Sequence, residues 1–158
     1  MDLEKLKQIV QMYQSFLQEK VYLLKRLEEF GQQVRQALVE KNEELIPEFV
    51  DSRGKVMNKI DLLEQEKKQV ISVFKTDQGK LILDKLGVVS EPARQLEQEV
   101  AQLLQKLSDQ DGELNSMMQL RHREVGERIK QIRNGKRMNN AYEQGQDHYD
   151  AHYFDHTK

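Results

Sequence analysis

The sequence has no cysteine and no tryptophan, and among its 158 residues it has only two prolines. Without cysteine the chain forms no disulfide and offers no thiolate for catalysis or metal binding, which fits a reducing compartment. Aromatic residues make up 6% of the chain and charged residues 33%. Such a composition favours long amphipathic helices around a narrow core, because helices need Leu, Glu, Lys and Gln more than aromatics or turns.

Long apolar runs are also missing. Uninterrupted apolar stretches such as residues 81–83 are only a few residues long, whereas a membrane-spanning helix needs about 20. The first ten residues carry charges where a signal peptide would need its apolar segment. The net charge of −2 gives no overall attraction to nucleic acid or acidic lipid. We therefore expect a cytoplasmic protein that binds no nucleic acid and does not insert into membranes.

Apolar residues recur at alternating steps of three and four, the period of supercoiled helices. In residues 3–41 this seam comprises Leu3, Leu6, Val10, Tyr13, Leu17, Leu24, Leu27, Val34 and Leu38, interrupted at Lys20 and Gly31. Gly31 on such a seam indicates a bend or a close approach of another chain segment. The pattern predicts one long helix over residues 3–41.

Three more helices are predicted. Asn42 is a suitable N-cap for a second long helix that runs to Lys75. Residues 77–86 form a short helix ended by Gly87, and this prediction is favoured over a strand at 80–83 because no partner strand exists. Ser90 caps the last long helix, which we expect to bend or break near residues 109–112 and to stop at 134–135.

These patterns predict an all-α fold: an elongated antiparallel helical bundle, or coiled coil, of three long helices with a short connector helix. The short links favour antiparallel neighbours. We expect one helical bundle domain over residues 1–142. Residues 143–158 have too little apolar content to order themselves, which predicts a flexible polar C-terminal tail.

The stretch from Leu114 to Tyr142 has the most informative pattern. Its apolar residues form one stripe at helical spacing, and the sequence becomes polar after Gly135. Seven basic residues and two acidic ones occupy positions 121–137, a local balance of +5. A helix with one apolar stripe and a polar end is typical of a partner-binding element. Flexible Met side chains at 118 and 138 suit a surface that accepts another helix, although the pattern leaves open whether Met118 belongs to the core.

Three other interpretations are weaker. His148, His152 and His156 recur every four residues in the tail, but a metal site needs supporting contacts that a flexible end lacks. The basic run at 121–137 suits phosphate contacts, yet it is also the expected wet face of an amphipathic helix. No phosphate loop, nucleophile motif or zinc signature is present. We expect no enzyme, no metal and no cofactor.

The segments EKNEELIPEF (40–49) and ELNSMMQLRHREVGERIKQIRNGKRMNNAY (113–142) resemble the FlgN group of flagellar type III export chaperones. NGKRMNNAY (134–142), followed by YFD (153–155), is also similar to the related FliT group. The resemblance implies a cytoplasmic chaperone that binds hook-associated proteins, the subunits of the hook–filament junction, before their export. By position it implies a partner-binding surface at Met118, Val125, Ile129, Ile132 and Met138, with Tyr142 contacting the export gate.

A different class of function remains open. Seams of this kind also occur in structural coiled-coil modules that self-associate, as a homodimer for example, to scaffold an assembly. The chaperone hypothesis requires an apolar surface on the last helix that the chain itself leaves uncovered. The scaffold hypothesis requires a concentration-dependent dimer that forms without another partner.

Overall fold

The computed structural model describes residues 2–143, with side chains through Ala141, and every element in this part of the chain is helical. The α-helices are α1 (Leu3–Val39), α2 (Ile46–Glu66), α3 (Lys68–Lys75), α4 (Asp77–Leu86) and α5 (Glu91–Glu143). Short 3-10 helices lie at Glu43–Leu45 and Gly87–Ser90. The predicted all-α class is confirmed, and residues 80–83 are helical rather than a strand. The predicted tail, apart from Glu143, lies outside the described residues.

The chain divides into two compact units, residues 1–116 and residues 117–158. The first unit contains α1 to α4 and the beginning of α5. The described part of the second unit is the remainder of α5. This division falls inside the domain of residues 1–142 that the sequence predicts.

The core of the first unit is built from α1, α2 and the start of α5. Its buried members include Leu24 of α1, Ile60 of α2 and Leu103 of α5. Two ion pairs show the relative direction of α1 and the start of α5: Lys25 lies 3.0 Å from Glu99, and Arg35 lies 3.0 Å from Glu113. Residue numbers rise together along α1 and this part of α5, so the two helices run in the same direction. The hairpin brings α2 back antiparallel to α1.

Gly31 is a close approach of two helices, one of the two roles that the sequence indicated. A Cβ atom at this position would lie 1.9 Å from Oε1 of Gln110. The Gln110 side chain fills the space beside Gly31 and donates a hydrogen bond from Nε2 to the Glu28 carbonyl, 3.1 Å away. Next to Gln110, the Asp111 carboxylate forms an ion pair with Arg53 of α2. The methylenes of an arginine can lie on the core while its guanidinium reaches a carboxylate at the edge.

The second predicted helix is interrupted at Lys67, which has φ −102° and ψ 12° and separates α2 from α3. Backbone hydrogen bonds continue across the interruption, from Lys67 N to Leu63 O and from Ile71 N to Lys67 O. Beyond it α3 delivers Phe74 into a second small core with Val10. The prediction of one unbroken helix over 42–75 was wrong because this tertiary packing leaves no trace in the periodicity.

The elbow between α3 and α4 is close-packed. The Thr76 hydroxyl caps α4 by accepting from Gly79 N at 3.1 Å. A Cβ atom at Gly79 would lie 2.0 Å from the Val73 carbonyl oxygen and 2.6 Å from the Phe74 Cα. Both contacts are with backbone, which has little freedom to move, so this position requires glycine.

The last helix is longer than predicted. It continues without a break past residues 109–112 and past Asn134–Gly135 to Glu143. A single glycine costs a helix about 1 kcal/mol, whereas proline costs about 3, and none of the residues from 93 to 143 is proline. In the region of 109–112 the buried residues Leu107 and Leu114 flank the expected bend and offset the cost.

Among residues 2–143 no helix combines the length and the apolar character that crossing a membrane requires.

Two glycine substitutions are predicted to have opposite effects. Gly79→Ala should lower the free energy of unfolding by about 1–3 kcal/mol, because the methyl group overlaps backbone atoms of α3. Gly54→Ala, in the interior of α2 with nothing within 4 Å of the new Cβ, should raise it by about 1 kcal/mol through helix propensity. Urea unfolding followed by circular dichroism measures both. Equal effects of the two variants would contradict the close packing at the elbow.

Candidate functional site

Four of the six predicted partner-binding residues share one face of α5. A helix turns about 100° per residue, which places Met118, Val125, Ile129 and Ile132 within an arc of about 60°. We call these four residues the α5 stripe. Its members recur at steps of seven, four and three, so they form a continuous line about four turns long. All of them belong to the second unit.

The α5 stripe is largely accessible to solvent. Ile129 is 46% exposed and Ile132 is 57% exposed, while Met118 and Val125 are partly buried. Leu24, in the core of the first unit, is only 2% exposed. A shallow depression of about 430 Å³ lies beside Met118 and His122 at the start of the line. Two β-branched side chains about half exposed on one line of the helix give it an apolar surface that another helix can cover.

The other two predicted residues are placed differently. Met138 is 73% exposed, but it lies about 120° around the helix from Ile132 and on the side opposite Ile129. It does not extend the line. Tyr142 lies within the helical range of α5, and its side chain is outside the described part of the structure. Leu120, which the sequence pattern left out, is 58% exposed on the side opposite Ile129.

Basic side chains border the α5 stripe on both edges. At helical spacing, Arg121 and Arg128 lie along one edge, and Arg133 and Arg137 lie along the other. Glu124 lies outside the stripe and forms an ion pair with Arg121 at 3.0 Å. The surface therefore combines an apolar centre with positive margins. Its electrostatic complement is an amphipathic segment with acidic margins.

The residues 2–143 contain no cluster of three or more His, Asp or Glu side chains arranged to hold a metal ion. The histidine repeat at 148, 152 and 156 is outside the described residues.

A second surface, which sequence reasoning missed, lies in the first unit. A groove of about 660 Å³ opens over α1, between α3 and the start of α5. Its floor contains Phe16 and Phe74, both buried, and its rim carries several lysines. From its spacing, Tyr13 was assigned to the seam of the first helix. The groove depends on the interruption at Lys67, so no local sequence signal could have indicated it.

Tyr13 of this groove has a shifted pKa. Its ring centroid lies 4.4 Å from that of Phe74, and its hydroxyl donates a hydrogen bond of 2.8 Å to the Glu97 carboxylate. Burial raises the pKa of the Tyr13 phenol well above its usual value, and the hydrogen bond and the negative charge of Glu97 raise it further. Tyr13 is therefore a neutral donor that ties α1 to α5 at physiological pH.

Comparison with known proteins adds no identification: no protein-family model, no curated protein and no solved structure matches this chain.

The Tyr13 phenol predicts a pH dependence of stability. In the unfolded chain it ionises near a pKa of about 10, and in the folded chain only at higher pH. Above about pH 10 the folded state keeps the phenol proton that the unfolded state loses. The free energy of unfolding therefore falls as the pH rises, by up to about 1.4 kcal/mol per pH unit from this group. Urea unfolding at about pH 9 to 11 should show a steeper fall for the wild type than for Tyr13→Phe. Parallel curves would contradict the shift, since all other groups are common to both proteins.

Proposed function

We propose that the protein is a cytoplasmic export chaperone that binds an amphipathic terminal helix of hook-associated proteins, the hook–filament junction subunits, before type III export. The observation that carries the proposal is the exposed α5 stripe with its basic margins. The likeness of residues 113–142 to FlgN-type chaperones supplies the identity of the client. An export subunit exposes an amphipathic helix that self-associates, and a second apolar stripe covers it by helix packing.

The size of the α5 stripe suits reversible binding. Covering an apolar side chain contributes about 1.5–3 kcal/mol when it is fully exposed beforehand. Ile129 and Ile132, each about half exposed, thus contribute on the order of 1 kcal/mol apiece, and Met118 and Val125 less. These contributions sum to about 3 kcal/mol, less than the roughly 8 kcal/mol of a micromolar complex, so the proposed binding also needs the charges of the basic margins. A weak apolar contact of this size permits release without nucleotide hydrolysis. Tyr142, in the same helix, is the proposed contact to the export gate.

The proposal includes a finer description of the fold. The steps of three and four along the seams of α1, α2 and α5 support packing in the coiled-coil manner as three long helices, with α3 and α4 as the connector between them. The antiparallel hairpin of α1 and α2 supports the same arrangement.

A self-associating scaffold is the alternative function, and the charges on α5 disfavour it. Two copies that paired along the α5 stripe would bring Arg121 and Arg128 of one chain beside basic margins of the other. Like charges placed across an interface oppose association. An acidic client helix meets no such repulsion.

The proposal predicts that Ile129→Glu abolishes client binding. The substitution places a charge at the centre of the contact, where its desolvation is not compensated. Purified full-length chain should retain a hook-associated protein of a flagellated bacterium on affinity resin, and the variant should retain at least about tenfold less, a loss of 1.4 kcal/mol or more.

Leu120→Glu is the matched control. Leu120 is comparably exposed but lies nine residues away, on the opposite side of α5, so this variant should bind like the wild type. If no hook-associated protein is retained by the wild type, or if both variants bind normally, the proposed function is wrong. A concentration-dependent homodimer broken by Ile129→Glu would favour the scaffold, and salt-sensitive retention on DNA would favour nucleic-acid binding.

A further inference from the structure

Two sides of the groove in the first unit are each formed by one face of a single helix. Its floor is made by one face of α1, the residues Tyr13, Phe16, Leu17 and Lys20. These positions are spaced i, i+3, i+4 and i+7, so they are two consecutive turns of a single helix face. Phe16 and Leu17 are buried at the bottom, and Tyr13 and Lys20 are partly exposed at the ends.

The facing wall repeats this spacing. α3 contributes Lys68, Ile71, Ser72 and Lys75, again two consecutive turns of one face. The two lysines lie at the ends of the wall, about 10.5 Å apart along the helix axis. An open space bordered by two turns of each of two helices has the length and shape of a third helix.

The charge of the rim is positive. Lys68, Lys75 and Lys80 are exposed, and none of them has an ion-pair partner among residues 2–143. Lys20 Nζ lies 2.8 Å from Glu64, so these two charges are paired. Glu97, on the α5 side, accepts the Tyr13 hydroxyl and keeps its negative charge. The unpaired positive charge of the groove is thus concentrated on the side formed by α3 and α4.

We propose that this groove binds an amphipathic α-helix of another protein, with its apolar face on Tyr13 and Ile71, which are partly exposed, and acidic residues along the edge that faces α3. Carboxylates seven residues apart on that helix have the same spacing of about 10.5 Å as Lys68 and Lys75. The site is separate from the α5 stripe, and it stands whether or not that stripe binds an export client. A second copy of this chain and a small organic anion are the competing occupants.

The test uses a synthetic helical peptide of about 18 residues, long enough to form a helix on binding. It carries leucines along one face and two glutamates seven residues apart on the edge. Calorimetric titration into the full-length chain should show one-to-one binding. The double variant Lys68→Glu/Lys75→Glu should bind at least about tenfold more weakly, since two attractive pairs become repulsive. A peptide with lysines in place of the two glutamates should restore binding to that variant.

Two further variants make the result specific. Lys59→Glu/Lys106→Glu changes the net charge equally, at lysines that do not line the groove, and should bind like the wild type. Ser72→Trp keeps every charge and fills the groove, and should abolish binding.

Circular dichroism of each variant confirms that it is folded. The proposal would be overturned if the wild type did not bind the peptide, or if both lysine double variants lost peptide binding equally. It would also be overturned if Ile129→Glu lost peptide binding and Ser72→Trp kept it. The proposal would also be overturned if the chain formed a homodimer that Lys68→Glu/Lys75→Glu dissociates. A third contrary result is binding of dodecanoate, as a small organic anion, in the groove when the peptide does not bind.

Discussion

The structure depends on how apolar helix faces are covered in a chain that has few bulky residues for the purpose. Every described element is helical, so each apolar face must be covered by another helix or remain in contact with water. In the first unit the seams of α1, α2 and the start of α5 cover one another, and Leu24 and Leu103 are buried. In the second unit the α5 stripe has the same kind of spacing, but Ile129 and Ile132 remain about half exposed. The proposed function follows from this difference.

Polar side chains determine where the first unit packs closely and where it opens. Gln110 occupies the space that Gly31 leaves free, and Tyr13 ties α1 to α5 through Glu97. At Lys67 the second helix is interrupted, and α3 turns its Phe74 into a separate small core. The interruption opens a groove in which the lysines of α3 and α4, Lys68, Lys75 and Lys80, have no carboxylate partner among the described residues. One irregular residue thus gives the bundle a second surface with a defined charge.

Much of this could be predicted from the sequence, because helix formation and face burial depend on local spacing. The bounds of α4 and the start of α1 follow from residues a few positions apart. At Gly31 the sequence left a bend and a close approach open, and the distant residue Gln110 decides for the close approach. The interruption at Lys67 could not be predicted, since it depends on where Phe74 finds space among distant residues. The end of α5 was predicted too early because Gly135 weakens a helix without stopping it.

The candidate site shows the same limit. The periodicity identified Val125, Ile129 and Ile132, which the helix brings to one face. The resemblance to the export chaperones grouped Met138 with them, which the helix places on another face. Apolar identity alone did not separate these positions, whereas their rotation around the axis does. The groove in the first unit combines α1, α3 and α5, so its residues come together only in the tertiary structure.

Amide hydrogen exchange of the full-length chain, with and without a bound hook-associated protein, tests most directly whether the α5 stripe is the client-binding surface. Residues 117–141 form a helix whose side chains are mostly exposed, so little burial slows the exchange of their amides. If the α5 stripe binds the client, the client slows exchange specifically in this segment. Protection confined to residues 2–116, with exchange in 117–141 unchanged, would contradict binding at the α5 stripe.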